Sequence, residues 1–230
     1  MRKYQNEKKK DCTKILVVDD HPLLRQALSQ LINQDRKIEV CGEADNPHDA
    51  LISIEELKPD MTIVDLYLKK GSSGIELIKD IKARYPHILI LVLSMLDESL
   101  YAERALRAGA KGYIRKEETA TKVVTAIHQI LNGQIYLSDN LSAKLINRFF
   151  DGQMCESESI ADLLTDRELE VFRLLGQGFG TSQIAKNLNV SMKTIETYRS
   201  HIKNKLKLED FNKLIQFAVQ WVFTENKLGV

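Results

Sequence analysis

Asp19, Asp20, Asp65, Ser94 and Lys116 are the residues of this 230-residue chain best suited to handling a phosphoryl group. Asp19 and Asp20 close the apolar run ILVV, Asp65 closes TIV, Ser94 closes LILVL, and Lys116 follows GYIR. Adjacent carboxylates at the edge of an apolar run repel each other unless a cation neutralises them. One Mg²⁺ and one lysine ammonium together balance three carboxylates. Hard carboxylate oxygens with few protein ligands suit Mg²⁺, which keeps several waters and often shares a phosphate oxygen. A carboxylate beside Mg²⁺ can attack phosphorus and form an aspartyl-phosphate. Ser94 could then bond a phosphoryl oxygen and Lys116 could pair with it. Taken singly, each residue has an ordinary role: an Asp after a strand is usually a cap or turn residue, Ser94 could cap a helix, and Lys116 could be a surface cation. The case for a site rests on all five falling at one place.

The pattern of elements puts them there. Short apolar runs occur at 15–18, 38–41, 61–64, 88–93 and 112–114. Between them lie segments of helical spacing, such as Leu24, Leu28, Leu31 and Ile32, or Ile75, Leu77, Ile78 and Ile81. This alternation predicts an α/β unit with a five-stranded, doubly wound parallel sheet covered on both faces. Pro22 and Pro47 fall where helices begin, and Pro59 and Pro86 just before strands, so no proline interrupts a helix. Ligands of such sheets gather beyond the carboxyl ends of the strands, the edge where all five polar residues fall.

Beyond residue 133 the character changes. NGQIYLSD reads as a turn and a short extended piece, LSAKLINRFF has helical spacing, and QMCESESIAD has the composition of a linker. From 165 no strand pattern remains. Thr165 and Glu168 form a capping box ahead of Leu169, Phe172 and Leu175, and Gly176 and Gly178 end that helix. Helices follow at Thr181 to Asn187, Met192 to Leu206 and 211 to 224, making a small all-α domain. Between Ser191 and Lys207 stand Lys193, Arg199, Lys203, Lys205 and Lys207 against the single acid Glu196. Ile195, Tyr198, Ile202 and Leu206 would face inward and leave a basic outer face, the description of a helix-turn-helix. On the final helix, Leu214, Phe217, Ala218 and Trp221 and the adjacent Ile215, Val219 and Val222 make an apolar surface wider than one stripe. One part can cover the helix-turn-helix, and the remainder either joins that core or forms a two-fold contact.

Bulk properties exclude other classes. Net charge is +1, so attraction to a polyanion must be local. Cys12, Cys41 and Cys155 form no CxxC pair, which argues against a disulfide framework or a zinc site. The longest apolar run, Ile88 to Leu93, falls far short of the roughly 20 residues a membrane helix needs. No signal-peptide segment follows MRKYQNEKKK, whose Lys8–Lys10 run reads as a solvated tail. The expectation is a reduced, cytoplasmic protein.

VVDDHP, TIVDL, VLS and GAKGYIRK resemble the receiver domain of two-component response regulators. LTDRELEVFRLLGQGFGTSQIAKNLNVSMKTIETYRSHIKNKL resembles the LuxR-type helix-turn-helix of the NarL/FixJ family. The resemblance implies a flavodoxin-like receiver over 13–135, a helical and polar linker over 136–164, and a DNA-binding domain over 165–230. It also implies that Asp65 accepts phosphate from a sensor histidine kinase, with Mg²⁺ held by Asp19, Asp20, Asp65 and the backbone carbonyl of Tyr67. Ser94 becomes the phosphate-sensing hydroxyl, Lys116 the active-site lysine and Tyr113 the switch aromatic. Met192 to Leu206 becomes the recognition helix, with Lys193, Thr194, Arg199 and Lys203 as phosphate contacts and Glu196, Thr197 and Ser200 as base-edge contacts. Double-stranded promoter DNA, a second copy of the chain after phosphorylation and RNA polymerase are the implied partners, and before phosphorylation the receiver would cover the recognition helix. Two departures mark the loop after Asp65: Lys69 replaces the usual proline, and the usual glycine falls one residue late, at Gly74. One alternative keeps the DNA-binding role without phosphorylation, against which the complete set of five site residues argues; the competing class is a Mg²⁺-dependent phosphohydrolase of the haloacid dehalogenase type. It would need an acid two residues after the nucleophile, where this chain has Tyr67.

Overall fold

The computed structural model describes residues 12–68, 72–143 and 160–228. Lys8–Lys10, Lys69, Lys70, Cys155 and most of the linker lie outside them. Pro22 and Pro47 each open a helix, where the missing N–H costs nothing and φ is preset. The first unit runs β1 (Thr13–Val18), α1 (Pro22–Ile32), β2 (Ile38–Ala44), α2 (Pro47–Leu57), β3 (Met61–Val64), β4 (Tyr67–Leu68), β5 (Ser72–Ser73), α3 (Gly74–Arg84), β6 (Leu89–Ser94), α4 (Glu98–Ala108), β7 (Gly112–Arg115) and α5 (Thr119–Leu131).

The main sheet is parallel, in the order β2-β1-β3-β6-β7. Strand β1 lies between β2 and β3, so the order of winding reverses at the β1/β3 crevice. Side chains alternate along each strand between two cores. Ile15 and Val17 pack with Leu28, Ile32, Ile127 and Ile130 on one face, whereas Leu16 and Val18 pack with Ile54, Ile78 and Ala102 on the other. All four β1 residues from Ile15 to Val18 are 0 % exposed, which is why the run is uninterruptedly apolar.

Two short pieces lie outside the regular alternation: one the sequence does not announce, and one, the extended piece after α5, that NGQIYLSD does. The β4–β5 hairpin pairs Tyr67 with Ser73 and Leu68 with Ser72, too short for any alternation to show. The extended piece after α5 bridges Tyr136 to Gly112: Tyr113 N–H donates to the Tyr136 carbonyl at 3.0 Å, and Tyr136 N–H donates to Lys111 at 2.9 Å.

The second unit follows a single turn, Ile160–Leu163, and consists of α6 (Asp166–Gly176), α7 (Thr181–Asn187), α8 (Met192–Lys205) and α9 (Phe211–Leu228). The Thr165/Glu168 capping box is formed in both directions. Phe172 packs against Phe217 and Trp221 with ring centroids 6.0 and 5.3 Å away, and Ile184, Ile195, Ile202, Leu214 and Ala218 complete the core. A Cβ at Gly176 would lie 2.3 Å from the Ala218 carbonyl oxygen, so only glycine admits this crossing of α6 and α9. Among the described residues, no helix is long and apolar enough to cross a membrane.

The units meet where the N-terminus of α6 lies against α3, α4 and the loop after β3. Asp166 pairs through Oδ2 with Lys79 (2.9 Å) and through Oδ1 with Arg104 (2.5 Å). Arg104 also donates to the Leu164 carbonyl at 2.6 Å, and the Arg173 guanidinium lies over the Tyr67 ring, 5.3 Å from its centroid.

Candidate phosphoacceptor site and nucleic-acid face

Asp19 and Asp20 stand at the end of β1 and Asp65 at the end of β3, so the three carboxylates converge at the winding reversal. They are 2, 6 and 2 % exposed. Ligand atoms of Asp19, Asp20, His21 and Asp65 all lie within 4.8 Å of one another. Lys116 reaches in from the end of β7, its Nζ 2.6 Å from both Asp19 Oδ2 and Asp65 Oδ2. Arg25 on α1 steadies the pair from behind, donating to the Asp19 carbonyl at 2.5 Å and to Glu43 at 3.2 Å.

His21 was not among the residues singled out from the sequence. It precedes Pro22 at the start of α1, and its Nδ1 lies 3.0 Å from Asp19 Oδ1 and 2.7 Å from Asp20 Oδ1. Its backbone N–H also donates to Asp19 Oδ1 at 2.8 Å. Its position between an acidic pair and a helix-opening proline was the available signal, because such a residue must turn back over the strand end.

Burial pushes the Asp65 carboxyl up to about 6; Lys116 opposes this, and Asp19 adds to it. For Lys116, burial works against the charge, but Asp65 and Asp19 outweigh it and hold the ammonium above its usual range. Three buried carboxylates sharing one cation form an oxygen donor set rich in negative charge, and it fits Mg²⁺. Asp19, Asp20 and Asp65 are the residues that would hold the ion. Tyr67 touches the acceptor through its N–H, which donates to Asp65 Oδ1 at 3.1 Å.

Ser94 is fully buried at the end of β6, where its Oγ accepts from Leu96 N–H at 3.2 Å. Tyr113 is 1 % exposed with its ring inward, and its hydroxyl donates to the Leu96 carbonyl at 2.9 Å. Burial raises the Tyr113 phenol far above its ordinary range, so it stays a donor. One residue, Leu96, is therefore held at both ends by the two expected reporters.

On α8, Ser191 caps the helix by accepting from Thr194 N–H at 3.0 Å. Lys193, Glu196 and Thr197 are exposed, and Thr194 and Ser200 half-buried. Arg199 turns toward its own domain, donating to Thr181 Oγ1 at 2.6 Å and lying over Phe211 at 5.1 Å; Lys203 lies over the same ring at 5.8 Å. Lys205 is bound to the capping-box Glu168 at 2.6 Å. The open part of the face is thus the N-terminal half of α8. The receiver meets this unit through the start of α6, and Lys193, Glu196 and Thr197 stay exposed.

Two family matches divide the chain in the same way: "Response regulator receiver domain" over residues 15–128 and "Bacterial regulatory proteins, luxR family" over residues 162–218. The chain belongs to the two-component response regulators that join a receiver to a LuxR-type helix-turn-helix, as its motifs implied. It is similar to the oxygen regulatory protein NreC of Staphylococcus aureus, with 33% identity over 210 residues, 90% of this chain and 97% of that protein. Among solved structures it resembles the RcsB response regulator of Salmonella typhimurium (TM-score 0.67, 25% identity, 91% of this chain and 98% of that one). It also resembles RcsB of Salmonella enterica serovar Typhimurium bound to the promoter rprA with the phosphomimetic BeF3⁻ (TM-score 0.64, 26% identity, 91% and 99% covered).

Proposed function

We propose that this protein is a transcriptional response regulator switched by phosphorylation of Asp65. The observation that carries the reading is the convergence of Asp19, Asp20, Asp65, Ser94 and Lys116 at the β1/β3 crevice. A sensor histidine kinase donates the phosphoryl group; the P–N bond to its imidazole breaks as an Asp65 oxygen bonds to phosphorus. Asp19, Asp20, Asp65 and the Tyr67 carbonyl would hold Mg²⁺, which would supply charge neutralisation for the phosphoryl oxygens. Lys116 then exchanges its carboxylate partner for a phosphoryl oxygen, and Ser94 Oγ donates to another. That donation draws Ser94 from Leu96 and frees Tyr113 to follow. Tyr67 leaves no general acid two residues after Asp65, which favours a regulator over a phosphohydrolase. The test is intact-protein mass after exposure to acetyl phosphate with Mg²⁺, with the modified residue mapped; labelling elsewhere than Asp65 would refute the assignment.

We assign residues 13–135 to the receiver, 136–164 to the linker and 165–230 to the DNA-binding domain. The output is promoter binding by paired recognition helices. Phe211, Ile215, Val219 and Phe223 recur at four-residue spacing on α9 and are 43, 37, 45 and 62 % exposed, a stripe suited to a two-fold contact. RcsB is recorded as dimers on DNA, which supports the same arrangement here. Lys193 and Thr194, on the open half of α8, are assigned to phosphates, and Glu196, Thr197 and Ser200 to base edges; Arg199 and Lys203, expected at phosphates too, instead lie over Phe211. Lys193→Ala should weaken binding about equally across sequences and lower the salt slope by about one. An unchanged slope in a titration from low to high salt removes it from the phosphate contacts. Glu196→Ala should alter the selected base at one position of each half-site, since a carboxylate accepts from the cytosine amino group. A selected-sequence profile identical to that of the parent protein speaks against base reading by Glu196.

A further inference from the structure

His21 brings a nitrogen donor to a site otherwise built of carboxylate oxygens. Its Nδ1 lies 3.0 Å from Asp19 Oδ1 and 2.7 Å from Asp20 Oδ1. A ring nitrogen carries at most one proton, which can point at only one of these two oxygens. The spacing suits another arrangement. Around a six-coordinate ion with bonds of about 2.1 Å, neighbouring ligand atoms lie about 3 Å apart. Nδ1 and the two oxygens are thus set as neighbouring ligands, with Asp65 in the same cluster. Lys116 takes the other oxygen of Asp19 and leaves this side clear for an ion. The backbone fixes the placement. Pro22 restricts the residue before it to extended backbone, and His21 has φ −94° and ψ 104°. Its N–H donates to Asp19 Oδ1 at 2.8 Å, which holds the turn over the strand end. The imidazole makes no capping bond to α1, and its side chain is 55 % exposed, within reach of an arriving ion.

We infer that His21 is a further ligand of the metal seat and sets its ion preference, an inference that rests on the reading of Asp19, Asp20 and Asp65 as that seat. Mg²⁺ and a divalent transition ion bring the same charge, so the carboxylates and Lys116 discriminate little between them. An imidazole nitrogen does discriminate, because it suits Ni²⁺, Fe²⁺ or Zn²⁺ better than the hard, strongly hydrated Mg²⁺. The ligand class is therefore a divalent first-row transition ion, competing with Mg²⁺ for one seat. Which ion sits beside Asp65 then depends on the relative supply of the two.

Ni²⁺ is the probe. Calorimetric titrations of the metal-free full chain with Ni²⁺ and with Mg²⁺ give both dissociation constants for the parent, His21→Ala and Asp20→Asn proteins. Excess Mg²⁺ should displace Ni²⁺ from the parent, which separates this seat from histidines elsewhere on the surface. Ni²⁺ should bind the parent more tightly than Mg²⁺, and His21→Ala should raise the Ni²⁺ Kd at least about tenfold. X-ray absorption of the parent Ni²⁺ complex should show scattering from one imidazole, lost in His21→Ala. Because the side chain is exposed and makes no capping bond, its removal leaves the fold intact. An unchanged Ni²⁺ Kd in His21→Ala overturns the inference. So does a fall in Kd for both ions, which would make His21 a competing hydrogen-bond donor rather than a ligand. Asp20→Asn should weaken both ions alike. If Mg²⁺ fails to bind the parent, or Asp20→Asn leaves its Kd unchanged, the metal seat itself fails, and the role of His21 with it.

Discussion

Asp65→Asn should abolish acyl-phosphate formation and, in the absence of metal, make the receiver more stable at neutral pH. The first effect follows from losing the nucleophilic oxygen. The second follows from burial, which raises the carboxyl from 3.8 to about 6. A folded-state value above the unfolded one means that the folded state holds the proton better. Stability from that proton is fully present below about 3.8 and is lost as pH rises through 6. The rise from 3.8 to about 6 sets an upper scale of roughly 3 kcal/mol by pH 7.5. Asparagine removes the ionisation, although Lys116 then keeps only Asp19 as partner, so a net gain of about 1–2 kcal/mol is expected. Urea melts at pH 4.5 and 7.5 provide the check: the variant should lead the parent at pH 7.5 and lose that lead at pH 4.5. Equal differences at both values would show that Asp65 titrates normally. Mg²⁺ should narrow the gap at pH 7.5, because it stabilises the parent more than the variant.

Gly74→Ala should damage both the fold and the site. Gly74 opens α3 and its N–H donates to the Leu66 carbonyl at 3.0 Å. A Cβ there would lie 2.2 Å from the Asp65 carbonyl oxygen and 2.5 Å from Leu66 Cα. Both are backbone atoms, so no rotamer change relieves the clash, and either α3 or the acceptor strand end must move. Overpacking of this kind costs about 3 kcal/mol or more. Moving the Asp65 backbone also misplaces its carboxylate relative to Lys116, so phosphorylation should slow at least tenfold even where the variant stays folded. Ser73→Ala is the control, because the Ser73 side chain makes no capping bond to α3. Thermal melting and the rate of modification by acetyl phosphate measure the two effects. Parent-like values for Gly74→Ala would mean the helix approaches Asp65 less closely than described.

The glycine also explains one departure visible in the sequence. A glycine is needed wherever α3 passes over the Asp65 carbonyl, and here that point is Gly74 rather than Ser73. The strand ends were legible because each apolar run stops at a polar residue, and the helix starts because Pro22, Pro47 and Thr165 signal locally. His21 is hidden in the sequence because Asp19 and Asp20 read there as metal ligands rather than as hydrogen-bond acceptors. The direction of Arg199 depended on Phe211 and Thr181, which helical spacing around α8 alone does not reveal. The α6 dock joins Lys79 and Arg104 to Asp166 across two domains, and no local pattern encodes such a pairing. The hairpin of Tyr67–Leu68 with Ser72–Ser73 is shorter than any alternation that could announce it.

The bridge between Tyr136 and Gly112 bears on how such proteins can be recombined. Gln134–Ser138 shields the outer edge of β7, and Leu141 beyond it is 5 % exposed. A receiver cut after α5, at Leu131, would leave the N–H of Tyr113 without its acceptor and open a sheet edge to pairing with foreign strands. The natural seam for exchanging output domains therefore lies after Leu141. The portable unit is longer than its strands and helices suggest, and it carries the first part of its own tether.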